Sequence, residues 1–273
     1  MKYSIDELED KARLIRAKIV DMSHNAKTAH LGSSLSCVDI LVALYWAKLR
    51  IDPHDINKSD RDRFILSKGH AASALYATLA FKNIIPYDLL ETYGQPDSKL
   101  EEHPGPKNLP GIEAATGSLG HGLSIGLGMA LAGKIQKINY DVFVLLSDGE
   151  CNEGSVWEAA MFGPAKGLNS VCAIIDFNKW QATGRSCEIM ALQPLADKWR
   201  AFGWNAIEID GHSMNDLVKA ITAIPENPEK PTAIIAHTVK GKGVSFMEDD
   251  NNWHYKIPDK EELIKAKKEL GIV

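Results

Sequence analysis

Residues 142–180, VFVLLSDGECNEGSVWEAAMFGPAKGLNSVCAIIDFNKW, decide the fold. Two Val/Ile-rich runs, 142–146 and 171–175, flank a segment (153–166) whose composition predicts a helix. Strand, helix, strand in this order is a parallel crossover unit, because parallel strands need a covering connection between them. The first run is followed by Asp148 and the second by Asn178, so both oxygen-bearing side chains fall at strand carboxyl ends. In open parallel sheets that edge is where ligands bind.

The same alternation extends outward. Downstream, the pattern predicts helix 192–201, strand 205–209, helix 213–224, strand 232–236 and a last helix near 259–270. Upstream lie helix 121–138, a short strand at 63–67 running into KGH, and the Ala-rich segment 71–81. Ser4 and Glu7 form a capping-box pattern. Ile5, Leu8, Ala12, Ile15, Ile19 and Met22 then repeat at helical spacing to about residue 24. Residues 36–49 predict a second, more buried helix. The Pro- and Gly-rich stretch 85–116 is too long for a plain connection and reads as a functional loop. No repeat or linker divides the chain. The expected fold is α/β, a doubly wound parallel sheet with helices on both faces, in a single domain over 1–273.

Bulk properties exclude several classes. The 273 residues carry 31 Lys+Arg against 36 Asp+Glu, a net charge of −5 without a basic stripe. Nucleic acid and membrane surfaces are therefore not expected partners. No apolar run reaches transmembrane length, and the acidic, amphipathic N-terminus is unlike a signal peptide. Cys37, Cys151, Cys172 and Cys187 show no CxxC spacing, which argues against zinc and for a reducing, cytoplasmic setting.

Asp148 and Asn178 offer one carboxylate and one amide oxygen, hard ligands that suit magnesium or calcium. Magnesium completes its shell with phosphates and water, and Gly149 lets a backbone N–H approach a phosphate. A metal-diphosphate clamp follows. Equally, Asp148 serves as a helix cap and Asn178 as a turn residue on this pair alone. The glycines of TGSLGHG, 116–122, permit close backbone approach at a helix start. His30, His70, His103 and His254 each lie beside Gly, Pro or polar residues; singly each reads as a surface histidine, together as proton-transfer groups for a polyhydroxylated substrate. The basic loop KGKG (240–243) reads as a phosphate loop or a solvated turn.

The segment opening DGECNEG and closing FN resembles the thiamin diphosphate motif, with SDG here where that family usually has GDG. Further stretches resemble transketolases in order along the chain: NAKTAHLGSSLS with His30, ILSKGHAASALYA with His70, LEEHPG with His103, GIEAATGSLGHGLSIGLGMALA, and HTVKGKGVSFMEDDNNWH with His254. The resemblance implies a transketolase N-terminal section. It gives Asp148, Asn178 and the carbonyl of Trp180 to a magnesium ion, for which calcium or manganese substitutes. It gives Gly117, Leu119, Gly149, Glu153, Asn178 and His254 to thiamin diphosphate, and the four histidines to catalysis. His121 departs from the family's Gln.

The family's glutamate that engages the aminopyrimidine ring, and its sugar-phosphate arginines, belong to domains that this sequence lacks. Glu153 and Glu158 match positions near the subunit interface. The resemblance thus implies one subunit of a split transketolase, partnered in an α2β2 assembly and acting on sugar phosphates. The α subunit of a 2-oxo acid dehydrogenase is the rival, opposed by KGHAASALY and KGKGVSFME. A nicotinamide-binding domain would need GxGxxG after a first strand. A non-catalytic binding protein would have no use for the histidines and metal ligands together.

Overall fold

In the computed structural model, residues 2–105, 109–225 and 227–272 are described. The sequence-predicted loop 85–116 and the span 1–273 therefore include a few positions outside the described residues.

The main strands are β1 (Arg63–Leu66), β2 (Val142–Ser147), β3 (Val171–Phe177), β6 (Asn205–Asp210) and β7 (Thr232–His237), while β4 (Trp180–Gln181) and β5 (Gly184–Arg185) form a separate antiparallel ribbon. The five main strands make one all-parallel sheet in the order β1, β2, β3, β7, β6. The decisive register pairs Leu146 with Ile175 and Ser147 with Asp176, so Asp148 and Asn178 leave adjacent strands at the same edge.

Every residue of β2 and β3 is buried, as expected of strands covered on both faces. Alternate side chains feed two cores. Phe143, Leu145, Cys172 and Ile174 pack under α1 (Ile5–Ala26), α3 (Val38–Ala43), α4 (Ala72–Phe81) and α9 (Met214–Thr222). Val142, Val144, Ala173 and Ile175 pack under α5 (Gly122–Gln136), α6 (Gly154–Ala165) and α8 (Leu195–Ala201). The doubly wound expectation holds. A last helix, α10 (Lys260–Glu269), returns against α1. Among the described residues no helix is long and apolar enough to cross a membrane.

The capping box at Ser4 forms as predicted, the Ser4 hydroxyl accepting from the Glu7 amide at 3.2 Å. Two boundaries differ. The predicted helix 36–49 is α3, beginning after a break at Cys37, and a π-helical turn at Leu44–Lys48, with a separate helix α2 (Leu31–Ser36) running into that break. The apolar period carries no sign of that break, since all of 31–45 is buried and no polar face marks an edge. The predicted start at 192 shifts to Leu195, with Pro194 at the cap, because proline fits the start of a helix better than its interior.

Beneath the sheet edge, Arg16 of α1 grips Asp39 of α3 through two parallel hydrogen bonds, 2.9 and 2.6 Å. The Val239 amide donates to His212 Nε2 at 2.8 Å, so the ring proton sits on Nδ1 and donates to Asp39 Oδ2 at 2.7 Å. Helix α1 is thereby tied to the loop after β7. Burial opposes the Asp39 charge, but Arg16 and His212 hold its carboxyl down at about 2. Asp39→Ala leaves the buried Arg16 unpaired. It should cost about 3–5 kcal/mol of stability in urea titration and speed amide exchange at Val239.

Candidate active site

The four histidines come from four separate segments. His30 lies between α1 and α2 in the left-handed region (φ 68°), its amide donating to the His254 carbonyl at 2.8 Å. His70 sits on the turn after β1, His103 in the long loop, and His254 at the end of a short turn over Asn251–His254. Ring centroids separate His30 from His254 by 5.0 Å, from His70 by 5.5 Å and from His103 by 5.9 Å. All four face a cleft of about 360 Å³. Gly117, Leu119, Gly149, Glu153, Asn178 and Trp180 line the same cleft, so the sequence-predicted residues gather in one place. Asp148 lies just beneath it, fully buried.

Burial, reinforced by the positive fields of His103 and Lys240, pushes His30 down to about 4. Burial and then Lys240 push His254 down to about 3. Both rings are therefore uncharged at pH 7 in this chain. Lys240, which the sequence left as a generic basic loop, donates to Asn251 Oδ1 at 2.7 Å and stands 3.1 Å from His254 Nδ1. Burial brings the Lys240 ammonium down to about 8.

At the other end of the cleft, Asp148 occupies the capping position of a short turn, Gly149–Asn152, but makes no cap hydrogen bond. Its Oδ2 accepts from Ser186 Oγ at 2.6 Å, and among the described residues its Oδ1 is buried without a partner. The helix-cap reading of Asp148 fails on this geometry. The turn reading of Asn178 holds, because its Oδ1 accepts from the Trp180 amide at 3.1 Å; a carbonyl oxygen keeps a second lone pair. Burial pushes the Asp148 carboxyl up to about 6. A cation at the free oxygen would relieve that cost. Among the described residues no three His, Cys, Asp or Glu side chains gather as metal donors, so an ion here would have to draw on amide, carbonyl, ligand or water oxygens as well.

Several residues escaped the sequence reading. Lys68 and Asp176 form a fully buried ion pair beneath the cleft, and Ser36 Oγ (2.6 Å) and Thr238 Oγ1 also donate to Asp176. A charge inside IIDF and a lysine in SKGH were the available signals. Glu150 is buried and accepts from the Gly120 amide at 2.8 Å, from Ser67 Oγ and from the Ser147 amide at 3.2 Å. It pins the Gly-rich turn to the end of β2.

Gly117 lines the cleft, and Gly120 and Gly122 are also required by packing within the chain. A Cβ on Gly120 would come 2.7 Å from Glu153 Cβ, and one on Gly122 2.3 Å from Ser67 Oγ. His121 is exposed, its Nδ1 paired with the Leu119 carbonyl at 2.9 Å. Glu153 stands exposed at the rim, while Glu158 lies exposed on α6, outside the cleft lining.

The histidines imply a pH dependence of stability. Unfolded, His30 and His254 take protons near 6.5; folded, they resist until about 4 and 3. Between these limits the unfolded state binds more protons, so stability falls as pH drops below 6.5. The urea midpoint should decline from pH 7 to pH 4.5, and replacing both histidines with Asn should flatten that decline. An unchanged slope would remove them as its source.

Residues 8–273 match the family described as transketolase, thiamine diphosphate binding domain. A chain of the apulose-4-phosphate transketolase of Phocaeicola vulgatus is 42% identical over 267 residues, covering 98% of this chain and 95% of that one. A 6-deoxy-6-sulfo-D-fructose transketolase subunit of a Clostridium species is 42% identical over 242 residues, covering 89% and 88%. The human transketolase is 38% identical over 256 residues, covering 93% of this chain but 40% of its own length. The crystal structure of transketolase from Campylobacter jejuni superposes with a TM-score of 0.92 at 28% identity, over 98% of this chain and 43% of that chain. The chain thus spans about two-fifths of these longer transketolases, and nearly the full length of the relatives whose names mark them as single subunits. With the whole cleft inside the matched span, the chain belongs to the transketolase family, as its thiamine diphosphate-binding section.

Proposed function

We propose that this chain is one subunit of a thiamin diphosphate- and magnesium-dependent transketolase, moving a two-carbon ketol unit from a ketose phosphate or related modified ketose to an aldose. The observation that carries this reading is the buried, unpartnered Oδ1 of Asp148 at one end of a cleft whose other end holds four histidines. The residues fit the implied groups. Asp148, Asn178 and the Trp180 carbonyl would hold the ion, and Gly117, Leu119, Gly149, Glu153 and His254 would border the cofactor. The chain then acts as a single diphosphate-binding domain in the cytoplasm.

When bound, thiamin diphosphate supplies the nucleophilic carbon that carries the ketol unit. The chain's own residues manage protons. Releasing an aldehyde from the donor requires removal of a hydroxyl proton, and joining the acceptor returns one. His30, His103 and His254 take and return that proton, and His70 completes the wall around the donor. The binding environment for the cofactor's pyrimidine ring, and for the substrate's tail, would come from a second chain, in an α2β2 assembly. Two relatives of equal identity are named for different sugars, apulose 4-phosphate and 6-deoxy-6-sulfo-D-fructose. Donor preference is accordingly assigned to the partner chain.

Purified alone with thiamin diphosphate, magnesium and a ketose–aldose pair, the chain should be inactive, and the second subunit should restore turnover. Robust turnover by the lone chain would sink the split-enzyme reading. In the assembled enzyme, Asp148→Ala should weaken cofactor binding by about 1.5–3 kcal/mol or more, read by calorimetry. His103→Ala should leave assembly intact and lower turnover roughly 10²–10⁴-fold; wild-type kinetics would return His103 to a surface role.

A further inference from the structure

The ribbon β4–β5 projects from the end of β3 across the cleft, beginning at Trp180 and delivering Ser186 of α7 (Ser186–Ile189) to Asp148. A two-residue-per-strand ribbon cannot hold itself in place. Something else fixes it, and the structure shows what. Asp249 Oδ1 accepts from Trp180 Nε1 at 2.8 Å and from Arg185 Nη1 at 2.7 Å, while Oδ2 accepts from Arg185 Nη2 at 2.6 Å. The Arg185 guanidinium lies 3.8 Å above the centre of the Trp180 ring. Asp249 adopts φ 57°, a left-handed conformation that Asp tolerates better than most residues, and its amide donates to the Lys240 carbonyl at 2.9 Å. Asn251, two residues on, donates to the Ala182 carbonyl at the ribbon's tip at 3.1 Å and accepts from Lys240 Nζ.

Asp249 and Asn251 thus both tie the ribbon to Lys240, and Asp249 makes the stronger grip. Its side chain clasps the ribbon that carries Trp180, and its backbone rests on Lys240, the neighbour of His254. We propose that Asp249 is a positioning residue that locks Trp180 and the β4–β5 ribbon over the metal-diphosphate end of the cleft. This rests on the assignment of Asp148, Asn178 and Trp180 to the ion. An exposed Asp–Arg pair alone contributes little. The bidentate geometry, the indole donor and the stacked guanidinium together make a fixed clasp that either holds the ribbon closed or releases it.

The test uses the full chain assembled with its second subunit, titrated with magnesium at fixed thiamin diphosphate and followed by calorimetry. Asp249→Ala should raise the half-saturating magnesium concentration about tenfold. Arg185→Leu should raise it less, and the double variant should match Asp249→Ala, because both changes open one clasp. Amide exchange across residues 179–186 should quicken in Asp249→Ala before any metal is added. Asp148→Ala, run alongside, separates the proposal from its premise. If Asp148→Ala weakens metal binding while Asp249→Ala binds like the wild type, the clasp is overturned and the ion site stands. If Asp148→Ala itself binds normally, the ion assignment fails and the clasp falls with it. A lowered melting temperature for Asp249→Ala with unchanged magnesium dependence marks a merely structural contact, which also overturns the proposal.

Discussion

The ion pair between Lys68 and Asp176 governs the geometry of the cleft. Both side chains are fully buried, and taking two charges out of water costs several kcal/mol per ion before their attraction offsets it. Burial works against each charge, yet the opposite partner prevails, holding Lys68 above its usual value and Asp176 below. The remaining hydrogen-bonding capacity is filled by Ser36, Thr238 and the Ser33 carbonyl. Those groups belong to the end of β1, the end of β3, helix α2 and the end of β7. A pair this demanding tolerates few alternative arrangements, so the segments bearing His30, His70, Asn178 and Lys240 are fixed relative to one another.

Above that floor the cleft has two electrically different ends. Burial, with cationic neighbours, keeps His30 and His254 uncharged. Carboxylates dominate the other end, with Glu150 buried and hydrogen-bonded to the Gly-rich turn and Asp148 buried with one free oxygen. Burial raises both carboxyls above their usual range. The difference between them is satisfaction: Glu150 has a donor at each oxygen, whereas Asp148 keeps one oxygen without a partner among the described residues.

Much of this was legible in the sequence. Alternating Val/Ile runs and helices specified a parallel sheet because burial on both faces leaves no polar side to a strand. Motif order brought the four histidines, Asp148 and Asn178 into one reading before any distance was known. The break at Cys37 and the π turn after α3 were hidden because the surrounding segment is buried throughout. Lys68–Asp176 and Arg16–Asp39–His212 were hidden for another reason. Their partners are far apart in the chain, and a charged residue in an apolar context signals burial without naming its partner.

Floor and rim therefore differ in kind. The floor is an ion pair without solvent access, and disturbing it would leave a bare charge in the core. The rim is clasped by Asp249 and Arg185, which remain partly exposed and in contact with water throughout. Local opening follows the route of least lost burial, and exposed hydrogen bonds on a short ribbon lie at the low-stability end of any fold. The buried pair holds the segments around the cleft in register, while the clasp at the rim rests on charges in contact with water, so the two ends of the stability range are set by different charges.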